Sequence, residues 1–94
     1  MRKWNELEFE WDEEKAAANW KNHGVRFETA AHVFEDENLM EYYDGFHSDG
    51  EERYQVIGKV KRILFVVYTE RKERIRLISA RKATKAERRR YLDR

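Results

Sequence analysis

The sequence contains no cysteine and no proline. Without cysteine there is no disulfide scaffold, no thiolate metal site and no thiol nucleophile. Without proline there are no polyproline linkers and no PxxP recognition segments. Long hydrophobic runs are also missing. The longest, Ile63–Tyr68, falls far short of the ~20 residues that span a bilayer. The opening Met1-Arg2-Lys3-Trp4-Asn5-Glu6 carries no apolar signal-peptide core. The expectation is a soluble, cytoplasmic protein with no membrane partner, and 94 residues make one domain, 1–94.

Charge is abundant. Charged residues make up 41% of the chain, which would suggest disorder, but 13 aromatic residues supply enough apolar surface for a core. The net charge of +1 conceals a strong polarity. Residues 1–58 hold 6 basic and 15 acidic side chains, a balance of −9, whereas residues 71–94 hold 11 basic and 3 acidic, a balance of +8. A basic C-terminal quarter on an acidic chain fits a polyanionic or acidic partner, or a solvated helix face paired internally with the acidic half.

Along the chain, Leu7-Glu8-Phe9-Glu10-Trp11 alternates apolar and acidic residues and predicts a strand with one buried face. Asp12 can cap the next helix, predicted over 13–23, with Glu13 and Glu14 in its first turn and Gly24 at its C-terminal end. Ala16, Ala17 and Trp20 form its expected apolar stripe, and Phe9, Trp11 and Trp20 are expected in the core. Phe27, Ala30, Ala31 and Phe34 predict a second helix over 27–34. Strands follow at 39–43, 53–60, 62–69 and 73–81, with a polar loop over 44–51. The run at 62–69 is apolar on both faces and belongs in the middle of the sheet. On the last strand, Ile75, Leu77 and Ser79 are expected on one face, and Arg74, Arg76, Ile78 and Ala80 on the other. Thr84-Lys85-Ala86-Glu87 is a capping box that opens a basic helix through Leu92. The expected class is α+β: an antiparallel meander covered by two N-terminal helices, with a basic C-terminal helix.

Few residues suggest chemistry. His23, His32 and His47 lack metal-ligand spacing, and Glu70-Arg71-Lys72 matches half of a nuclease metal motif but falls at a hairpin turn. His47 stands in a loop among carboxylates beside Arg53, where it could move a proton or simply close the turn. Arg74 and Arg76 share one strand face, Arg81-Lys82 ends that strand, and Arg88 rides the last helix. Arginines of this kind could clamp a phosphate or could be salt-bridged to the acidic half. Tyr54 and Tyr68 could supply hydroxyl protons or stack on bases. Metal-free RNA cleavage needs a base near the 2′-hydroxyl, an acid near the leaving oxygen and a cation on the phosphate, and these residue types can provide all three.

Several stretches resemble BrnT-type toxins. The opening carries Phe9-Glu10-Trp11-Asp12-Glu13-Glu14-Lys15-Ala16, Asn19, Lys21, His23-Gly24-Val25, Phe27-Glu28 and Ala30. The middle carries His47-Ser48, Glu51-Glu52-Arg53 and Ile57-Gly58. The end carries Val67–Arg71, Arg74-Ile75-Arg76, Ile78–Thr84, Glu87-Arg88 and Tyr91. Gly45 stands where the family often has proline, Lys72 where a turn glycine is common, and the Val60-Lys61-Arg62 connection is short for the family.

The resemblance implies a fold similar to RelE-type ribonucleases and RNA cleavage that stops translation. It also implies a BrnA-like ribbon-helix-helix antitoxin in a 2:2 assembly, with operator DNA touched only through that partner. No metal or cofactor is implied. On that basis Arg76 is expected to clamp phosphate, with Arg74, Arg81, Lys82 and Arg88 in RNA binding. His47 is expected to act as general acid or base, oriented by Glu52 or Glu51, with Arg53 and Tyr68 completing the surface. The other reading is a non-catalytic module that docks an acidic protein or nucleic acid through the same basic strand and helix.

Overall fold

A computed structural model describes residues 6–44 and 51–93. Five strands form one mixed sheet in the order β1-β5-β4-β3-β2: β1 Phe9–Glu10, β2 Met40–Asp44, β3 Arg53–Val60, β4 Arg62–Arg71 and β5 Arg74–Lys82. The last four form the expected antiparallel meander, and β4 is central. β1 is only two residues long and adds in parallel to the outside of β5, pairing Phe9 with Ile75 and Glu10 with Arg76.

The helix α1 (Glu13–His23) begins and ends where its capping residues place it. The Asp12 side chain accepts from the Lys15 N–H at 3.0 Å, and Gly24 closes the helix at φ 66°, a conformation that glycine adopts without penalty. Its buried face differs from the expected stripe. Ala17 is exposed and Trp20 is 48% exposed, with the Arg26 guanidinium 4.3 Å from its ring centre. The inward position belongs to Asn19. The predicted second helix splits into α2 (Phe27–Ala30) and a 3₁₀ helix (Ala31–Glu35). Tightening to three residues per turn aligns Phe27, Ala30 and Val33, and all three are fully buried.

Phe27, Ala30 and Val33 pack against Val56 of β3, Leu64, Val66 and Tyr68 of β4, and Ile75, Leu77 and Ala80 of β5. At one end of this face five rings touch in succession, Phe9, Phe34, Tyr68, Tyr54 and Tyr43, with centroids 5.2–5.8 Å apart. Gly58 lies under the 3₁₀ helix, where a Cβ would meet Val33 and Leu39 at 2.9 Å.

Ile75 and Leu77 of β5 face inward as expected, but Ser79 does not. Val67 pairs with Ser79 and Tyr68 with Leu77, so Ile78 is an extra residue, a β-bulge. Beyond it the alternation reverses, and Ala80 rather than Ser79 faces the core. Asn19 fixes this register. Its Nδ2 donates to the Ala80 carbonyl at 2.8 Å and the Val25 carbonyl at 2.9 Å, while its Oδ1 accepts from the Ala80 N–H at 3.0 Å.

On the opposite face, α3 (Lys85–Leu92) rests against one end of the sheet. The capping box is complete: the Glu87 N–H donates to Thr84 Oγ1, and the Thr84 N–H donates to the Glu87 carboxylate. The Arg90 guanidinium lies 5.3 Å from the Tyr42 ring centre.

Replacing Asn19 with alanine strands three buried backbone groups, and at roughly 1–3 kcal/mol per lost partner we expect at least about 3 kcal/mol of destabilisation in urea unfolding. The β4–β5 turn places Lys72 (φ 51°) and Glu73 (φ 67°) both in the left-handed region, where a side chain is penalised. Lys72→Gly is expected to raise the melting temperature, with a gain of about 1 kcal/mol read by calorimetry.

Candidate functional site

The sheet register gathers arginines at one end of the face that α1 and α2 do not cover. A row of paired positions crosses all five strands: Asp44, Arg53, Thr69, Arg76 and Glu10. Arg71 and Arg74 pair two rows further on, on the same face. Four arginines therefore share this end of the face. Carboxylates from the acidic half meet them. Arg76 Nη1 donates to Glu10 Oε2 at 2.8 Å, and both side chains are about a quarter exposed, at 27% and 24%. Arg74 stands 3.6 Å from Glu8 and 3.7 Å from Glu10 Oε1, and its side chain is 55% exposed. Arg71 bonds to Glu51. The Thr69 hydroxyl donates to the Glu52 carbonyl and so holds the approach to Arg53.

Arg74 and Arg76 thus stand together, as their two-residue spacing predicted. Arg81 does not join them. It lies on the same face but pairs with Phe65, at the end of the sheet that α3 covers. Its guanidinium grips Glu87 with two bonds, at 2.8 and 3.0 Å, and sits 4.1 Å from the Phe65 ring centre. Arg81 anchors α3. Lys82 is exposed at the strand end, and Arg88 is exposed on α3, beside Lys85 and Arg89 around a shallow depression. The basic residues expected to bind RNA are therefore divided between two ends of one face.

Tyr68 lies on the other side of the sheet from Arg53 and Arg76. It is 2% exposed, stacks on Tyr54 and donates to Glu41. Burial, reinforced by that carboxylate, raises the Tyr68 hydroxyl far above its ordinary range, so it is held protonated. The Glu52 carboxylate accepts from the Tyr54 hydroxyl at 3.1 Å. His47 lies outside the described residues. Among the described residues, no three His, Asp or Glu side chains group so as to hold a metal ion.

The residue missed by sequence reasoning is Glu10. Its outward direction is legible in the Glu8-Phe9-Glu10 alternation, but its contact with Arg76 depends on the parallel addition of β1. The Arg76 guanidinium holds the Glu10 carboxyl below the usual carboxylate range, against a smaller opposing effect of desolvation. For Glu87, burial raises the pKa, but the bonds from Arg81 and Thr84 outweigh it and the net shift is downward.

The model of the ribonuclease toxins of type II toxin–antitoxin systems matches residues 11–87, most of the chain. The chain belongs to this family, the BrnT toxins. Such toxins are ribonucleases, and an antitoxin partner goes with the type II class. No curated protein matches the sequence. Among the described residues, no helix is long and apolar enough to cross a membrane.

The lowered carboxyls give a stability prediction with a definite sign. A carboxyl whose pKa is depressed by folding contributes stability above its ordinary value, and that contribution is lost as pH falls through the lowered one. Melting temperature is therefore expected to decline below about pH 4.5, the ordinary value for both groups. Glu87→Gln is expected to flatten part of that decline in melts recorded between pH 7 and 2.5.

Proposed function

We propose that this protein is a metal-independent endoribonuclease of RelE-like type that stops translation in the cytoplasm, and that the arginine end of the sheet binds the scissile phosphate. The observation that carries this reading is the convergence of Arg53, Arg71, Arg74 and Arg76 on one uncovered end of the face. Cleavage by the neighbouring 2′-hydroxyl builds negative charge on phosphorus. Guanidinium groups fixed on a rigid strand can stabilise that charge without reorganising. Arg76 is the best placed, because the sheet supports it on both sides and it is only partly exposed. Arg74 assists. In this reading His47 is an acid or base, Glu51 or Glu52 orients it, and Arg53 borders the site, while Lys82 and Arg88 guide RNA toward it from the α3 end that Arg81 anchors.

The cognate antitoxin is a BrnA-like ribbon-helix-helix protein in a 2:2 complex. It neutralises the toxin by covering the arginine face, and it alone contacts operator DNA when the complex represses the operon.

The test is RNA cleavage by antitoxin-free protein in EDTA, first on naked RNA and then on translating ribosomes. Products with cyclic-phosphate and 5′-hydroxyl ends are expected. Arg76→Ala is expected to lower the rate roughly 10²–10³-fold, the usual cost of removing one charge-stabilising donor. RNA binding without new ends in either assay would identify a docking module instead.

A further inference from the structure

We propose that Glu10 is the catalytic base that takes the proton from the attacking 2′-hydroxyl, working as a pair with Arg76. This rests on the ribonuclease reading above and extends it to a residue on a different strand. Glu10 uses only one nitrogen of Arg76, Nη1, through Oε2 at 2.8 Å. Among the described residues Nη2 and Nε of Arg76 have no hydrogen-bond partner, so the guanidinium can still offer a planar fork to phosphate. A phosphate held on that fork lies beside the Glu10 carboxylate. The second oxygen, Oε1, has no hydrogen-bond partner among the described residues, with Arg74 3.7 Å away. Paired with Arg74 only at ion-pair distance, it can accept a proton from a ribose hydroxyl next to the bound phosphate.

The pair's contribution to stability is small. Partly exposed ion pairs contribute roughly 0–1 kcal/mol. β1, by contrast, pairs only two residues with β5, and one of those pairs sets Glu10 opposite Arg76. The other carboxylates near the arginines are engaged differently. Glu8 lies 3.6 Å from Arg74 with its side chain 73% exposed, and Glu51 is taken by Arg71.

The reaction balances without a co-reactant. The 2′-oxygen bonds to phosphorus as its proton passes to Glu10 Oε1. The bond from phosphorus to the 5′-oxygen breaks with its electron pair going to that oxygen, which takes a proton from water. The products are a 2′,3′-cyclic phosphate and a 5′-hydroxyl, and arginines 74 and 76 hold the charge between them. The charged groups facing Glu10 are Arg74 and Arg76 of β5 and Arg71 of β4, with Glu8 on its own segment engaging Arg74. The three cations keep the carboxylate ionised at neutral pH, the form a base requires.

The experiment compares wild type with Glu10→Gln and Glu10→Asp in single-turnover cleavage from pH 3.5 to 8. Alongside, it measures affinity for a 2′-O-methyl RNA of the same sequence, which binds but cannot react. Glu10→Gln is expected to lose roughly 10²–10⁴-fold in rate, to bind the 2′-O-methyl RNA as tightly as wild type or more so, and to lose the acid limb of the wild-type profile. Glu10→Asp is expected to recover part of the rate and to keep an acid limb. Cleavage by Glu10→Gln within threefold of wild type overturns the proposal. So does a loss of affinity as large as the loss of rate, which would make Glu10 a positioning residue for Arg76. If Glu10→Gln fails to fold, the wild-type profile decides: a rate that is flat through the carboxylate range overturns the proposal. Wild-type protein that produces no ends from naked RNA or from ribosomes removes the ribonuclease reading and this proposal together. An active wild type with an equally active Glu10→Gln removes this proposal alone.

Discussion

The side-chain amide of Asn19 is the interaction on which the rest of the arrangement depends. β1 covers only the beginning of the outer edge of β5, leaving the N–H and carbonyl of Ala80 facing α1 with no neighbouring strand. A buried and unpaired backbone group is costly. Asn19 offers a carbonyl and an amide N–H at the spacing a strand would, and so substitutes for the missing one. Its second N–H reaches the Val25 carbonyl and ties down the turn between α1 and α2. One side chain thereby joins helix, turn and sheet, and it does so just beyond the bulge at Ile78. Because the bulge reverses the alternation of β5, Ala80 rather than Ser79 lies under α1.

The bulge also sorts the arginines. Before it, Arg74 and Arg76 project from the uncovered end of the face. After it, Arg81 projects from the same face at the end beneath α3, where Glu87 and Phe65 occupy it. The −9 and +8 segments of the sequence therefore meet in part inside one molecule: Glu8, Glu10 and Glu51 of the acidic segment face Arg74, Arg76 and Arg71 of the basic one. The remaining positive charge is carried by exposed α3 residues and by the guanidinium nitrogens that these pairs leave open.

Features governed by local chemistry were legible in the sequence. Asp12, Gly24 and the Thr84–Glu87 box cap helices through contacts within a few residues, and each does so here. The apolar run of β4 identified the central strand because burial on both faces leaves a mark on composition. Features governed by distant contacts were not legible. Trp20 looked like a core residue by size, but the inward position of α1 went to an asparagine whose partner is 61 residues away. The bulge left no glycine to mark it, so Ser79 and Ala80 exchanged faces. In the candidate site, the pairing of Arg74 with Arg76 followed from strand alternation. The separation of Arg81 depends on its grip on Glu87 of α3, and the approach of Glu10 could not be read without knowing that β1 joins β5, while Tyr68 was assigned to a surface from which the sheet itself separates it.

That parallel pairing has a consequence for the order of assembly. Glu10 and Arg76 are 66 positions apart, so bringing them together means closing nearly the longest loop the fold contains, at an entropic cost of about 4 kcal/mol beyond a fixed term. The meander of β2 to β5, built from neighbouring hairpins, bears no such cost and can form first. During synthesis the pair cannot form until β5 has been made. The contact of Glu10 with Arg76 therefore follows the meander, and a chain interrupted before β5 carries the whole acidic segment without Arg74 and Arg76, the arginines that Glu8 and Glu10 meet.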